Sequence, residues 1–317
     1  MLLKKFNVKA TLGNLNNHIG VPLTLLSFTT DTQIGIVEMG ANHQKEIEFL
    51  CNLATPNFGY ITNFGKAHLE GFGGVKGVIK GKSEMYDYLA INNLKAFVNI
   101  DDTIQNEKTK KIERITFSTL NKNASVFIED VTANPLVSIK YNNDYINSNL
   151  IGLYNATNII AAITIGKYFG VSINHIKDAI QNYVPDNNRS QLVVKNSNEI
   201  ILDAYNANPS SMKVALENFI QLDKSNKIAI IADMFELGDE SVQEHFQIVN
   251  QLKNQFEIEC IFVGFDFYKN KIQQNNFHFF KTFEELSIFL TKSRLVYKTI
   301  LIKGSRGMAL ERVLEII

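Results

Sequence analysis

Short apolar runs punctuate the chain, at residues 34–37, 58–62, 96–100, 200–202, 228–231, 261–263 and 299–302, with helical spacing of apolar residues between them. Continuous rather than alternating apolar runs predict strands buried on both faces, and their alternation with helices predicts an α/β fold with mostly parallel sheets. Residues 115–153 break the rhythm. Alternating segments such as Ser138-Ile139-Lys140-Tyr141 are separated there by Asn-rich turns, which predicts antiparallel hairpins and a β-rich insertion. Two helices follow, at 158–169 and 173–183. Ser172 caps the second, whose Ile173, Ile176 and Ile180 share one face.

The segment Pro185-Asp186-Asn187-Asn188 reads as a linker, dividing the chain into domains 1–187 and 188–317. Beyond it, Asn208 is placed to cap a helix with Pro209 at its first position and Met212, Leu216 and Phe219 as its buried stripe. Thr282 and Glu285 have capping-box spacing. Four strands with intervening helices predict a Rossmann-like C-terminal domain. No internal repeat or low-complexity tract is visible.

Composition narrows the function. The 317 residues balance 32 basic against 32 acidic side chains, so no overall field favours nucleic acid or an anionic membrane. The two cysteines, Cys51 and Cys260, lie far apart in apolar surroundings, which argues against a disulfide framework and fits a cytoplasmic protein. Every apolar stretch falls well short of the roughly 20 residues needed to span a bilayer, so no membrane insertion is expected.

Ligands of open α/β sheets bind at the carboxyl ends of the strands. Glu38, Asn63 with His68, Asp203, Asp233 and Lys303 follow apolar runs and sit at such ends. Each alone reads equally well as a helix cap or a solvated charge; together they point to a site. Glu38 and His68 suit Mg²⁺ serving a nucleotide triphosphate, a hard carboxylate oxygen with an imidazole beside it. Residues 11–20 hold three asparagines, Asn14, Asn16 and Asn17, and two glycines, a connector rich in groups that can face a ligand. Gly77-Val78-Ile79-Lys80-Gly81-Lys82-Ser83 has three residues between its glycines where a P-loop needs four, and no strand feeds it, so it is read as helix.

The connector, Glu38-Met39-Gly40-Ala41, and Asn63-Phe64-Gly65-Lys66-Ala67-His68-Leu69-Glu70-Gly71 together resemble the ATP-dependent Mur ligases of peptidoglycan synthesis. The resemblance covers the whole chain. It implies that Glu38 and His68 serve the metal ions, and that Lys82, in Gly81-Lys82-Ser83-Glu84-Met85-Tyr86, is carbamylated and faces the metal as an anion. Gly152-Leu153-Tyr154-Asn155-Ala156-Thr157-Asn158 resembles a Gly-x-His-Asn-x-x-Asn segment, with Tyr154 in place of histidine. Asn155 and Asn158 would then contact the adenine region, Asn158 also reading as a plain helix cap. Arg189 takes the place of an inter-domain arginine that reaches phosphate. In Asp203-Ala204-Tyr205-Asn206-Ala207-Asn208-Pro209, the Asp would contact nucleotide while Asn206 and Asn208 line the cleft. Residues 233–238 and 303–308 extend the match, with Lys303, Ser305 and Arg306 as substrate-binding candidates alongside Asn14, Asn16 and Asn17.

The implied cofactors are ATP and Mg²⁺. The implied substrates are UDP-N-acetylmuramoyl-tripeptide and D-alanyl-D-alanine, joined by a monomeric enzyme through an acyl phosphate. Rival expectations are a folylpolyglutamate- or cyanophycin-type ligase, or a catalytically dead fragment that binds only the dipeptide. Family members carry an N-terminal uridine-nucleotide domain and Gly-x-x-Gly-Lys-Thr ahead of the region matched here, so the central ATPase domain is expected to be truncated and its phosphate grip weakened. On that expectation the chain alone does not turn over ATP. Phosphate release requiring both the muramoyl tripeptide and D-alanyl-D-alanine, measured on the purified chain, would refute it.

Overall fold

The computed structural model describes residues 1–186, 188–293 and 295–317; Asn187, within the predicted linker, lies outside them. Contacts divide the chain into two compact units. One comprises Met1–Thr132, Ser138–Ser148 and Asn155–Tyr183, the other Ala133–Val137, Asn149–Tyr154 and Val184–Ile317. No helix among the described residues is long and apolar enough to cross a membrane.

The first unit opens with a short 3-10 turn, Leu2–Lys4, and a two-stranded parallel sheet, β1 (Val8–Ala10) with β2 (Ile34–Ile36), linked through α1 (Gly20–Leu26). After α2 (Glu46–Ala54) comes β3 (Phe58–Tyr60), then α3 (Leu69–Phe72), α4 (Val75–Ile91), β4 (Lys95–Asn99), α5 (Thr103–Lys108), β5 (Glu113–Ser118) and β6 (Val126–Phe127). Strands β3 to β6 form a second sheet, every pair of which is parallel. Residues 113–118 therefore belong to the parallel sheet, and the predicted insertion is shorter than 115–153. It consists of β7 (Asp130–Ala133), β8 (Leu136–Tyr141) and β9 (Asp144–Ile151). Asn142 and Asn143, both at positive φ, make the two-residue turn between β8 and β9, the geometry that matches strand twist in a hairpin.

Helix α4 runs through the glycines of the rejected P-loop. A Cβ on Gly77 would stand 1.8 Å from the Phe72 carbonyl oxygen, and one on Gly81 would stand 2.5 Å from the Phe72 ring. Those glycines exist so that α3 can lie directly on α4. The opposite side of α4 buries Tyr86 and Leu89 against Ala96 and Val98 of β4. Next come α6 (Ala156–Tyr168) and α7 (Ile173–Gln181). Ser172 caps α7 as expected, accepting from the His175 N–H. Helix α6 starts two residues before the predicted position, so Asn158 lies inside its first turn and is not its cap.

The second unit is built on a six-stranded sheet, two strands more than expected. Its strands are β10 (Gln191–Lys195), β11 (Asn198–Asp203), β12 (Lys227–Ala232), β13 (Glu259–Val263), β14 (Phe277–Phe280) and β15 (Thr299–Lys303), in spatial order β10-β11-β15-β12-β13-β14. All neighbours are parallel except the edge pair β10 and β11. Helices α8 (Pro209–Gln221), α9 (Ser241–Leu252), α10 (Phe265–Lys269) and α11 (Phe283–Lys292) connect them. Asn208 and Ser211 form a reciprocal capping box at α8, while Met212, Leu216 and Phe219 are fully buried. At α11 only half of the expected box forms. Thr282 accepts from the Glu285 N–H, but the Glu285 carboxylate turns back to the Lys281 N–H at 2.7 Å.

Gly264 ends β13 with φ +127°, and a Cβ there would sit 2.2 Å from the Asp233 carboxyl carbon. Strain and overlap coincide at this position. Gly264→Ala is expected to lower unfolding stability by more than about 2 kcal/mol. Urea unfolding of parent and variant checks it, and an unchanged midpoint would refute the close approach.

Candidate functional site

At the carboxyl end of the second unit's sheet, Asp203 closes β11 and Lys303 closes β15, and the two are register partners. Their side chains meet at 2.6 Å and are 13% and 2% exposed. A lysine this deep needs a carboxylate, because an ammonium removed from water without one is prohibitively costly. The pair then organises its surroundings. The second Asp203 oxygen accepts the Ser190 N–H at 3.2 Å, and Lys303 Nζ also reaches the Asn206 carbonyl at 3.4 Å. Ser190 Oγ shares a 2.6 Å hydrogen bond with the Tyr154 hydroxyl. Burial, reinforced by the Asp203 charge, pushes the Tyr154 phenol above its ordinary range, so it stays protonated.

Above this floor lies a rim of outward-facing groups. Arg189 stacks its guanidinium 3.9 Å from the Tyr205 ring centroid, and Arg306 approaches the same ring at 6.0 Å. Asn206 is exposed, its side-chain oxygen accepting the Ala207 N–H. Ser305 faces inward, where its Oγ accepts the Phe235 N–H at 3.0 Å and donates to the Ala207 carbonyl at 3.4 Å. Two guanidinium groups on one aromatic platform, with amides beside them, form a surface suited to a carboxylate or phosphate.

In the first unit, Glu38 follows β2. Asn16 Nδ2 donates to one of its carboxylate oxygens at 2.8 Å, and Thr11 Oγ accepts its backbone N–H at 2.9 Å, leaving the other oxygen for a cation. Asn17 instead caps α1, its side-chain oxygen accepting from Ile19 and Gly20 at 3.0 Å each. On α4, Lys82 Nζ donates to the Asn63 carbonyl at 2.8 Å, and burial lowers its pKa. Glu84, two residues on, accepts backbone N–H groups of Lys45 and Glu48 and so anchors the start of α2. His68 occupies the left-handed region at the start of α3. Asn158 Nδ2 lies 3.3 Å from Asn155 Oδ1. No cluster of three His, Cys, Asp or Glu side chains that could hold a metal occurs among the described residues.

A cavity of about 540 Å³ opens at the opposite, amino end of the second sheet, lined by Lys224, Lys227, Glu257, Glu259, His278 and Lys298 among others. Its charges are largely answered by the protein: Lys224 pairs with Glu199 at 2.8 Å, His278 with Glu259 at 3.5 Å, and Lys227 caps the carbonyls that end α8.

Comparison with known proteins identifies the family. Residues 1–166 match the Mur ligase middle domain, and residues 188–306 match the Mur ligase, glutamate ligase domain. The chain belongs to the Mur ligase family. The UDP-N-acetylmuramoyl-tripeptide--D-alanyl-D-alanine ligase of Rickettsia prowazekii is 30% identical over 99% of this Mur ligase and 73% of that enzyme. A crystal structure of MurF from Acinetobacter baumannii superimposes with a TM-score of 0.86 at 27% identity, covering 99% of this chain and 71% of the other. MurF of Thermotoga maritima in complex with ADP, at 22% identity and a TM-score of 0.84 over 99% and 74%, shares the fold.

Within this Mur ligase the candidates named from sequence divide by what their atoms already do. In the second unit, Asp203, Lys303, Ser305 and Asn208 have their polar atoms committed to one another or to backbone, whereas Asn206, Arg189 and Arg306 are exposed, Arg306 sharing an ion pair with Glu311 at 3.3 Å. In the first, Asn17 is committed to a cap, Asn16 braces Glu38, and Asn14 is exposed. Sequence reasoning missed Tyr205 as a platform and also missed His245, which is fully buried and accepts the Met234 N–H at 3.0 Å. Its only signal was its place one turn before Ile248 and Val249 on the buried face of the helix.

Breaking the Asp203–Lys303 pair from one side strands a charge. Lys303→Met alone is expected to cost about 3–5 kcal/mol, and Asp203→Asn combined with Lys303→Met less than Lys303→Met alone. Chemical denaturation of both variants tests this; a double variant no more stable than the single would show the two groups to be independent.

Proposed function

We propose that this Mur ligase is an ATP-dependent amide ligase that joins D-alanyl-D-alanine to UDP-N-acetylmuramoyl-tripeptide. The observation that carries the reading is the arginine pair on Tyr205, seated over the buried Asp203–Lys303 floor beside Asn206. The relatives' names supply the substrates; the geometry supports an anion-binding wall of the kind a dipeptide carboxylate or a transferring phosphoryl group needs. In the reaction, the terminal carboxylate of the donor takes the γ-phosphoryl group and ADP departs. The acceptor amine then attacks the acyl carbon, phosphate leaves, and the amine proton is lost.

Residues 1–187 form the ATP- and Mg²⁺-binding domain in this reading and residues 188–317 the acceptor domain. Mg²⁺ would be held by Glu38, His68 and a carbamate on Lys82, and would neutralise phosphate charge when bound. The burial of Lys82 supports that assignment. Its ammonium faces a carbonyl and its pKa is lowered, so a larger share of the amine is neutral near pH 7 and able to add carbon dioxide. The resulting anion would supply the third donor that Glu38 and His68 lack. Asn155 and Asn158 lie toward the adenine region, Arg189 toward phosphate, and Asn14 and Asn16 toward the donor. Asn206 and Arg306 line the acceptor side.

Carbon-13 bicarbonate should give this protein a carbamate resonance that is absent from Lys82→Ala. In a protein that also carries the family's Gly-x-x-Gly-Lys-Thr segment, that variant should lose most of the ligation rate, and a short carboxylic acid should restore part of it. Full activity in Lys82→Ala would end the assignment.

A further inference from the structure

Phe235 follows Met234 in the loop after β12, the residue 45% exposed, and the reaction above gives it no task. Single exposed aromatics are common and need no explanation. This one differs in how firmly its backbone is held. The Phe235 N–H donates to Ser305 Oγ at 3.0 Å. One residue earlier, the Met234 N–H donates to His245 Nε2 at 3.0 Å, while His245 Nδ1 lies 2.7 Å from the Ser241 carbonyl. The imidazole is therefore neutral with its hydrogen on Nδ1, and the 3.7 Å approach of Nε2 to Asp233 is a contact between an acceptor and a carboxyl, not an ion pair. Asp233 itself accepts the Asp266 and Phe267 N–H groups at the start of α10, and its carbonyl accepts the Ser305 N–H at 3.1 Å. Glu236, at φ 62°, turns the chain away immediately afterwards.

The ring so fixed lies over Gly307, where a Cβ would come within 2.7 Å of it, immediately beyond Arg306. Polar groups in the loop after β12, on α9 and α10 and in the loop after β15 thus converge to hold one apolar surface next to Arg306, whose guanidinium is exposed and shares an ion pair with Glu311 at 3.3 Å. An alanyl residue with a free carboxylate presents the complement, a methyl group beside an anion.

We propose that Phe235 is a specificity-determining residue, its ring forming the apolar wall that receives the methyl side chain of the acceptor's terminal D-alanine. The inference rests on the reading of this face as the dipeptide site. A fully enclosed methylene is worth about 10–200-fold in discrimination, and a wall open on one side belongs at or below the lower end, about five- to ten-fold.

Calorimetric titration of the whole chain with D-alanyl-D-alanine and with D-alanyl-glycine tests it. The parent should prefer the former by about five- to ten-fold, Phe235→Ala should reduce the preference to within about two-fold, and Phe235→Leu should keep most of it. D-alanyl-glycine affinity and melting temperature should change little in either variant, since the ring is half in water. An unchanged preference in Phe235→Ala, with the parent binding both peptides, would overturn the role of Phe235 and leave the site reading standing. A parent that binds neither dipeptide would overturn both.

Discussion

The buried pairing of Asp203 with Lys303 is the constraint on which the second unit's working face depends. It follows from sheet register, since β11 and β15 end at the same level and place an acid and a base side by side. Such pairs add little net stability compared with apolar packing, but they penalise every arrangement that leaves one charge alone. The penalty is transmitted outward. Ser190, the Asn206 carbonyl and, through Ser190, Tyr154 are all fixed by the same two side chains. The exposed groups that can meet a ligand are therefore mounted on a rigid base, which limits the entropy lost when they engage one.

The two units treat a lysine drawn away from solvent in opposite ways, Lys303 fully buried and Lys82 half-buried. Lys303 is neutralised internally and becomes part of the scaffold. Lys82 lies on a helix whose glycines press it against α3, and its ammonium meets a backbone carbonyl. Burial without a carboxylate makes the first lysine's solution unavailable and leaves the amine chemically open. Withdrawal from solvent thus gives an ion-paired strut in one place and an amine of lowered pKa in the other, and the neighbouring charge decides which.

Much of this was legible in the chain. Each apolar run named from sequence is a strand, Ser172 and Asn208 cap the helices they precede, and the glycine spacing rightly excluded a P-loop. The shortfalls have physical causes. Strand β14, Phe-His-Phe-Phe, has no aliphatic residue, and in the edge strand β10 the run Leu192-Val193-Val194 is short, flanked by Gln191 and Lys195, and not buried. Strand β5 carries polar residues on its outer positions and was taken for the start of the hairpins, though it pairs in parallel with β4. At the site, sequence found the right loops but could not tell a side chain facing a ligand from one facing its neighbour. Asn17 and Ser305 look like binding groups until their hydrogen bonds are followed, and Phe235 looks idle until its backbone is.

Cys51 and Cys260 are both fully buried, and burial pushes each thiol up to about 12. At neutral pH almost no thiolate forms, so alkylating reagents and disulfide exchange have little to act on in the folded protein. A cysteine introduced at an exposed position would then be the single reactive sulfur of the native chain. Spectroscopic probes could be attached there without first removing the natural pair, and the unmasking of Cys51 or Cys260 would itself report local opening of the unit that holds it.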